Sequence, residues 1–549
     1  MTSPEKQELA PAVDRSRLRR KFWFVSWRAN AEVLLVKLKG AFDGAATARL
    51  AGLLAGPVLF VFILFGTELA PGQPAVTITA AVAVLMAVWW ITEAIPLAAT
   101  ALIPIAFFPL MGVADGESIA RSYMNTTILL FLGGFLLALA MERWNLHRRI
   151  ALRIILLFGG RPASLVLGFM VAAALLSMWI SNTATAVMML PMALAIVRRV
   201  EKEHGSWEGT KPLLLGIAYA CSIGGVATLI GTPPNLILRR TLSTIFPEAP
   251  VPGFGQWFVF GFPFSVLLLF GAWFLLTRVL FNLGHASALE NDELRREYRA
   301  LGPASAEERT VLTLFGLTAL LWIFRSPIEV GALRIAGWAS LLPAGEMIDD
   351  GVVAMIASVA LFVLPARKDQ NGRRGSLLEA DVFAQVPWGI ILLFGGGFAL
   401  AKAFGDSGLA RALVDRFAEL PLPGWALVAT ITAGMNFLTE LTSNTASTQM
   451  VLPVLAAIAV GENLHPMLLM LPATLAASMA FMMPVATPPN AIVFSSNRLR
   501  IIEMVKAGFW LNLFSIALIC LFTWLLAVPV FDLGDGSLPV WAQTVAEPE

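Results

Sequence analysis

The chain has 549 residues, 57% hydrophobic and 14% charged, with a mean hydropathy of +0.75. A soluble globule carries about a quarter charged residues, so a soluble domain is excluded and the chain reads as a polytopic membrane protein. A net charge of +2 over this length points to no nucleic-acid partner.

Residues 1–48 form a basic tail holding Arg15, Arg17, Arg19, Arg20, Lys21 and Arg28. Apolar runs of about 17 to 25 residues then mark candidate spans. The first transmembrane segment, 50–75, holds span one at 50–69; spans two to four are 76–92, 97–113 and 122–141. Residues 142–161 mix Arg143, Arg148, Arg149 and Arg153 with Ile150, Leu152, Ile154 and Ile155, which suits a helix lying in the membrane interface. An overlong apolar segment, 163–200, is broken at Ser181. Span five, 211–245, is broken at a Thr-Pro-Pro-Asn loop, and span six is 257–281. After a charged linker at 283–309, spans seven to nine are 310–325, 348–364 and 387–405. A second overlong segment, 424–460, precedes span ten at 465–496, span eleven at 508–530 and the tail at 531–549. The four histidines, His147, His204, His285 and His465, lie at segment ends and form no visible metal cluster, and Cys221 and Cys520 lie inside apolar stretches.

The two halves repeat one plan. Ser181-Asn182-Thr183 matches Ser443-Asn444-Thr445, Phe131-Leu132-Gly133-Gly134-Phe135 matches Phe394-Gly395-Gly396-Gly397-Phe398, and Gly231-Thr232-Pro233-Pro234-Asn235 matches Ala486-Thr487-Pro488-Pro489-Asn490. Three landmarks in one order amount to an internal duplication, with repeats at 76–281 and 310–530. The glycines are read as sites of close helix packing.

Charge placement predicts the path. With a cytoplasmic N-terminus, and with 163–200 and 424–460 each entering and leaving by one face, the basic segments 142–161, 198–211, 283–309, 366–380 and 498–506 all fall inside, and the tail without Lys or Arg after Lys506 falls outside. Arg239 and Arg240 alone sit against this pattern. Full crossings by each half would keep the same parity, but halves of about 18 residues leave no room for a turn at the far face. The expected fold is therefore all-α, with eleven transmembrane helices and two re-entrant hairpins in inverted repeats, an architecture of secondary transporters.

Irregular chain inside a bilayer is tolerated only where protein or a wet cavity satisfies it. The paired prolines withhold backbone donors, so carbonyls together with Ser, Thr and Asn oxygens make a neutral oxygen cage suited to sodium. The half-helices that start at the triplets turn amides toward an anion. No Lys or Arg lies in the tips or loops, so any anion there depends on co-bound cations. Two acids stand apart. Glu93 is expected in the headgroup layer at the end of span two. Glu440, whose counterpart by the repeat offset is Met178, is read as a structural hydrogen-bonding group in preference to a proton carrier.

These residues resemble the divalent anion/sodium symporter family, sodium-coupled transporters of dicarboxylates, citrate and sulfate. The resemblance runs from about residue 50 to 530 through Trp90–Pro96, Ser181–Ala186, Gly224–Asn235, Thr439–Ala446 and Pro484–Asn490. It implies one sodium site from Ser177, Ser181, Asn182 and backbone near Gly231, and a second from Thr439, Thr442, Asn444 and backbone near Ala486. It implies substrate contacts from Asn182, Thr183, Thr232, Asn444, Thr445, Thr487 and Pro488. It further implies a scaffold domain that forms a homodimer, and a transport domain that moves like an elevator in the cell membrane. Thr442 stands where some members carry a smaller residue.

The expectation is thus sodium-coupled symport of a di- or tricarboxylate, a C4-dicarboxylate such as succinate foremost, with no enzymatic activity and no organic cofactor. A sodium-independent exchanger and a sodium/sulfate symporter are the alternatives within transport. An intramembrane hydrolase lacks an acid, His or Cys partner for Ser181 or Ser443 in the motifs, and a channel fits poorly with hairpins closed from opposite faces.

Overall fold

A computed structural model describes residues 47–158, 161–204, 207–281, 283, 292–330, 333–368, 374–417 and 422–543. The basic tail up to residue 46, part of the 283–309 linker, Arg373 and the final residues lie outside them. Eight helical stretches among the described residues are long and apolar enough to cross a membrane.

The first repeat is preceded by α1 (Thr47–Gly66), which lies against α2 (Pro74–Thr92). Glycines permit this approach: a Cβ on Gly52 would stand 2.0 Å from Thr92 Oγ1, and one on Gly56 2.6 Å from Trp89 Nε1. Span three is two short helices, α3 (Leu97–Thr100) and α4 (Ile103–Leu110), with Pro104 in the first turn of the second. Next come α5 (Gly116–Tyr123) and α6 (Thr126–Arg143), each started by a side-chain cap, Asp115 accepting from the Ser118 amide and Asn125 from Thr127 and Ile128. The interfacial candidate is α7 (Leu146–Leu157). The overlong segment is α8 (Pro162–Ser177) and α9 (Asn182–His204), and span five is α10 (Thr210–Gly225) and α11 (Pro233–Ile245). Span six is α12 (Phe254–Phe274), extended by a π-helical turn at Leu275–Leu280.

A surface helix, α13 (Asp292–Ala300), leads to α14 (Ala306–Ile323), whose Ser305–Glu308 capping box fixes its start. The second repeat continues with α15 (Asp350–Val363), α16 (Trp388–Asp406), α17 (Leu409–Phe417), α18 (Gly424–Thr439), α19 (Asn444–Gly461), α20 (Met467–Ala477) and α21 (Pro488–Phe494). Span eleven is α22 (Ile501–Phe522), a π-helical turn and α23 (Val528–Phe531); α24 (Val540–Gln543) closes the described chain. Span eleven begins seven residues before its expected start at 508, because Glu503 and Lys506 interrupt the apolar run while occupying the first turns of the same helix.

The all-α expectation needs one correction. Two short antiparallel hairpins join helices, β1 (Ile328–Val330) with β2 (Leu333–Ile335) and β3 (Pro365–Lys368) with β4 (Arg374–Ser376). Each strand is three or four residues long, too short for alternation of apolar and polar residues to register.

Ion pairs tie the basic segments to one another and to neighbouring acidic residues. Arg143 pairs with Glu379 and Asp381, Arg148 with Glu297, Arg149 with Glu308, Lys211 with Glu503, and Arg498 with Glu201. These contacts join 142–161 to the linker and to the segment after α15, and join the end of α9 to the start of α22. At another place the chain after α23 returns to the α19–α20 junction: the His465 amide donates to Gly536 O at 2.8 Å and the Leu538 amide to Asn463 O at 3.0 Å. Large apolar side chains such as Phe65, Ile356 and Val359 face outward, as a lipid-facing surface requires.

Candidate functional site

Each Ser-Asn-Thr triplet is a helix start. Between α8 and α9, Ser181 Oγ accepts from the Ala184 amide at 3.2 Å; between α18 and α19, Ser443 Oγ accepts from the Ala446 amide at 3.4 Å. A serine here satisfies one of the amides that every helix N-terminus leaves unpaired. The repeats then share one cross-turn bond, Ser177 Oγ donating to Asn182 Oδ1 at 2.5 Å and Thr439 Oγ1 to Asn444 Oδ1 at 2.6 Å. Two oxygens thus converge at each tip.

The proline loops are built alike. Pro233 and Pro488 occupy the first positions of α11 and α21, where a missing N–H costs nothing and a fixed φ favours the helix. The prolines therefore start the second half-helix. Inside the turn, Asn235 Nδ2 donates to Thr228 O at 2.7 Å, and Asn490 Nδ2 donates to Met483 O at 3.0 Å and Ala480 O at 3.1 Å. Both asparagines are fully buried, and each leaves Oδ1 without a hydrogen-bond donor. A buried orphan carbonyl oxygen at equivalent places in both repeats suits a hard cation better than an anion.

Tip and loop are tied together by different chemistry in the two repeats. In the first, Thr228 Oγ1 donates to Met178 O at 2.6 Å. In the second, Glu440 Oε1 accepts from the amides of Phe481 at 2.7 Å and Met482 at 2.9 Å, and Oε2 from Met482 and Met483, both at 3.0 Å. Asn512 Nδ2 adds a donor at 2.7 Å. Met178 and Glu440 stand at equivalent positions, so the acid is a local substitute for the carbonyl tie of the first repeat. Glycine is required where tip meets loop: a Cβ on Gly231 would stand 2.4 Å from Gly225 O, and one on Gly225 3.0 Å from Asn182 Oδ1.

Tips and loops of both repeats open on a single cavity of about 730 Å³. Among the expected site residues, Ser181, Asn182, Thr183, Gly231, Thr232, Thr442, Asn444, Thr445, Ala486, Thr487 and Pro488 line it. Ser177 and Thr439 lie behind, fully buried, each holding its asparagine. The repeats meet directly where Thr232 Oγ1 and Ser478 Oγ lie 3.5 Å apart. The threonines differ: Thr487 Oγ1 accepts from the Asn490 amide at 3.3 Å, whereas Thr232 makes no side-chain cap. Helices α9, α11, α19 and α21 all begin at this wall, so their N-terminal amides give it a positive potential.

Sequence reasoning missed several residues. Arg49, from the start of α1, and Glu93, at the end of α2, line the cavity and pair at 3.3 Å. Glu93 thus lines the cavity as an ion-pair partner of Arg49. Trp179, Phe131, Phe135 and Ile390 supply apolar wall. Asn235 and Asn490 were within the doubled loop motif, and that doubling was the available signal. The glycine-rich landmarks do pack closely, Gly133 against Ala354 and Gly396 against Ala101, while Gly134 also lines the cavity.

The sequence matches the family described as "Sodium:sulfate symporter transmembrane region" over residues 48–531. It is 41% identical over 497 residues to a Staphylococcus saprophyticus protein named sodium-dependent dicarboxylate transporter SdcS, covering 88% of this chain and 92% of that one. It is 40% identical over 487 residues to the protein of the same name from Staphylococcus aureus (strain MRSA252), covering 87% and 91%. Among solved structures it is similar to Neisseria gonorrhoeae MtrF, described within a class of antimetabolite efflux pumps, with a TM-score of 0.53 at 15% identity over 87% of this chain and 99% of that one. At that identity the likeness concerns the fold alone.

Proposed function

The chain belongs to the sodium:sulfate symporter transmembrane family, and from that premise we propose that it is a secondary transporter, not an enzyme, coupling sodium to the symport of a di- or tricarboxylate. A C4-dicarboxylate such as succinate is the substrate this reading favours. The observation that carries it is the convergence of both Ser-Asn-Thr tips and both proline loops on one cavity. Relatives named sodium-dependent dicarboxylate transporters, about two-fifths identical over most of their length, support the ion and the substrate class.

In this reading the residues divide by chemistry. Ser177, Ser181, Asn182 and Gly231 hold one sodium, and Thr439, Thr442, Asn444 and Ala486 a second, with the orphan oxygens of Asn235 and Asn490 contributing to the local field. The substrate carboxylates meet Asn182, Thr183 and Thr232 from one repeat and Asn444, Thr445, Thr487 and Pro488 from the other. Bound sodium supplies the positive charge that the tips and loops lack, so anion affinity rises when sodium is present.

The segments α8–α9 and α18–α19 act as re-entrant hairpins entering from opposite faces. Two features support this: Glu201 at the far end of α9 pairs with Arg498 among the basic segments, and Gly424 at the start of α18 lies against Leu464, just beyond α19. The basic segments face the cytoplasm, leaving the tail at 531–549 outside. Residues 76–281 and 310–530 form the inverted repeats, and a transport domain carrying tips and loops moves against a scaffold domain that dimerises, giving elevator-type alternating access.

The test is succinate uptake into proteoliposomes under an inward sodium gradient, under potassium, and with internal succinate but no sodium. Uptake only under sodium is expected. Uptake indifferent to sodium but dependent on internal succinate would establish the exchanger, and sodium-driven uptake of labelled sulfate without uptake of succinate would establish the sulfate symporter.

A further inference from the structure

Arg49 and Glu93 belong to neither doubled motif, yet they line the cavity that both motifs share. Among the described residues lining it, Arg49 is the one cation and Glu93 the one acid. Arg49 Nη2 donates to Glu93 Oε2 at 3.3 Å, and the two side chains are 51% and 53% exposed. Both can therefore be reached by a solute in the cavity.

The backbone fixes this meeting in place. Gly52 sits one turn beyond Arg49 and lets α1 press on Thr92, the last residue of α2. Glu93 then ends α2 at a φ of +47°, a left-handed conformation that non-glycine residues seldom adopt. That turn sets the carboxylate across from Arg49. An exposed ion pair is weak, so its partners separate readily. A guanidinium presents paired donors that match a carboxylate, and an anion in the cavity competes directly with Glu93 for them.

We propose that Arg49 and Glu93 form a charge valve at the rim of the cavity: Arg49 swings from Glu93 to a carboxylate of the passing dianion, and Glu93 reclaims it once the anion has moved on. The inference rests on the dianion reading above and adds a third source of positive charge beside sodium and the helix ends. At rest the pair is neutral, so Arg49 does not trap the anion. Glu93 sets how strongly Arg49 holds it.

Isothermal titration of the purified full-length protein with succinate, and separately with sulfate, at saturating sodium tests this. Arg49→Gln is expected to raise the half-saturating dianion concentration by about fivefold, and Glu93→Gln, which leaves Arg49 uncontested, to lower it by a similar factor. Arg49→Lys keeps the charge but loses the paired donors and falls between the parent and Arg49→Gln, and the double variant behaves like Arg49→Gln, because Glu93 acts through Arg49. In uptake assays Glu93→Gln turns over more slowly at saturating substrate, because release is retarded. Shifts of Arg49→Gln and Glu93→Gln in the same direction, or no shift in either, would overturn the valve. Sodium-driven uptake by the parent protein separately judges the reading beneath it. A parent that binds sulfate but not succinate changes the substrate and leaves the valve to the sulfate titration. A parent that binds neither overturns both.

Discussion

Arg239 Nη1 lies 2.6 Å from Asp350 Oδ2, linking α11 of the first repeat to α15 of the second. The other oxygen of Asp350 is 2.6 Å from Arg325 Nε, and the aspartate is 1% exposed. The arginine that fitted the charge pattern badly thus has a buried counter-ion where it stands, shared with Arg325. Removing the shared acid leaves two guanidinium groups without their counter-ion. Asp350→Asn is expected to destabilise the protein by about 3–5 kcal/mol, the range for breaking a buried pair. Thermal unfolding in detergent reads this directly, and an unchanged midpoint would show that the carboxylate has no structural role.

Glu440 caps three consecutive amides of the broken segment between α20 and α21. Hydrogen bonds to a charged acceptor are worth about 1.5–3 kcal/mol each. Glu440→Ala is therefore expected to lose sodium-driven uptake and to lower the unfolding temperature together. Glu440→Gln keeps one carbonyl acceptor but turns an amide donor on the backbone donors, and is expected to raise the sodium concentration for half-maximal uptake. If Glu440→Gln retained normal sodium dependence, the charge of the cap would be irrelevant to the second site.

Glycine substitutions separate close approach from mere flexibility. Gly231→Ala puts a Cβ 2.4 Å from Gly225 O at the end of α10, so the loop must open, and uptake is expected to fall to background. Gly434, inside α18, has no atom within 4 Å of a Cβ placed there. Gly434→Ala is expected to leave uptake intact and to raise stability by up to about 1 kcal/mol through helix propensity. Uptake initial rates and unfolding midpoints for the two variants check both outcomes.

What the sequence revealed was local or duplicated. Helix breaks at Ser181 and Ser443 show as polar residues within apolar runs, and their recurrence between the same landmarks in the same order identifies them as one device used twice. Partners chosen by packing left no such trace. Arg49 and Glu93 are 44 positions apart and meet only because glycines let α1 approach α2; Arg239 and Asp350 are 111 apart and meet across the repeats. The role of Glu440 was legible in part, since its buried setting implied hydrogen bonding, but its donors are backbone amides whose identity no side chain announces. The β1–β2 and β3–β4 hairpins were invisible because strands this short have no period.

His465 supplies a pH dependence with a definite sign. It lies between α19 and α20, where burial lowers its pKa from 6.5 to about 4 despite the opposing influence of Asp532. Its Nδ1 accepts from the Met467 amide at 3.2 Å, which requires that nitrogen to be unprotonated. The unfolded chain binds the proton near pH 6.5 and the folded chain only near pH 4, so the stability from neutral His465 is complete above about pH 6.5. It declines as pH falls through the window to about 4 and changes no further below it. The full excursion amounts to about 3 kcal/mol. His465→Asn keeps an acceptor near the Met467 amide without a titrating group, so its unfolding temperature is expected to vary less than that of the parent between pH 7 and pH 4. Parallel pH profiles for the two proteins would mean that another group carries the acid sensitivity.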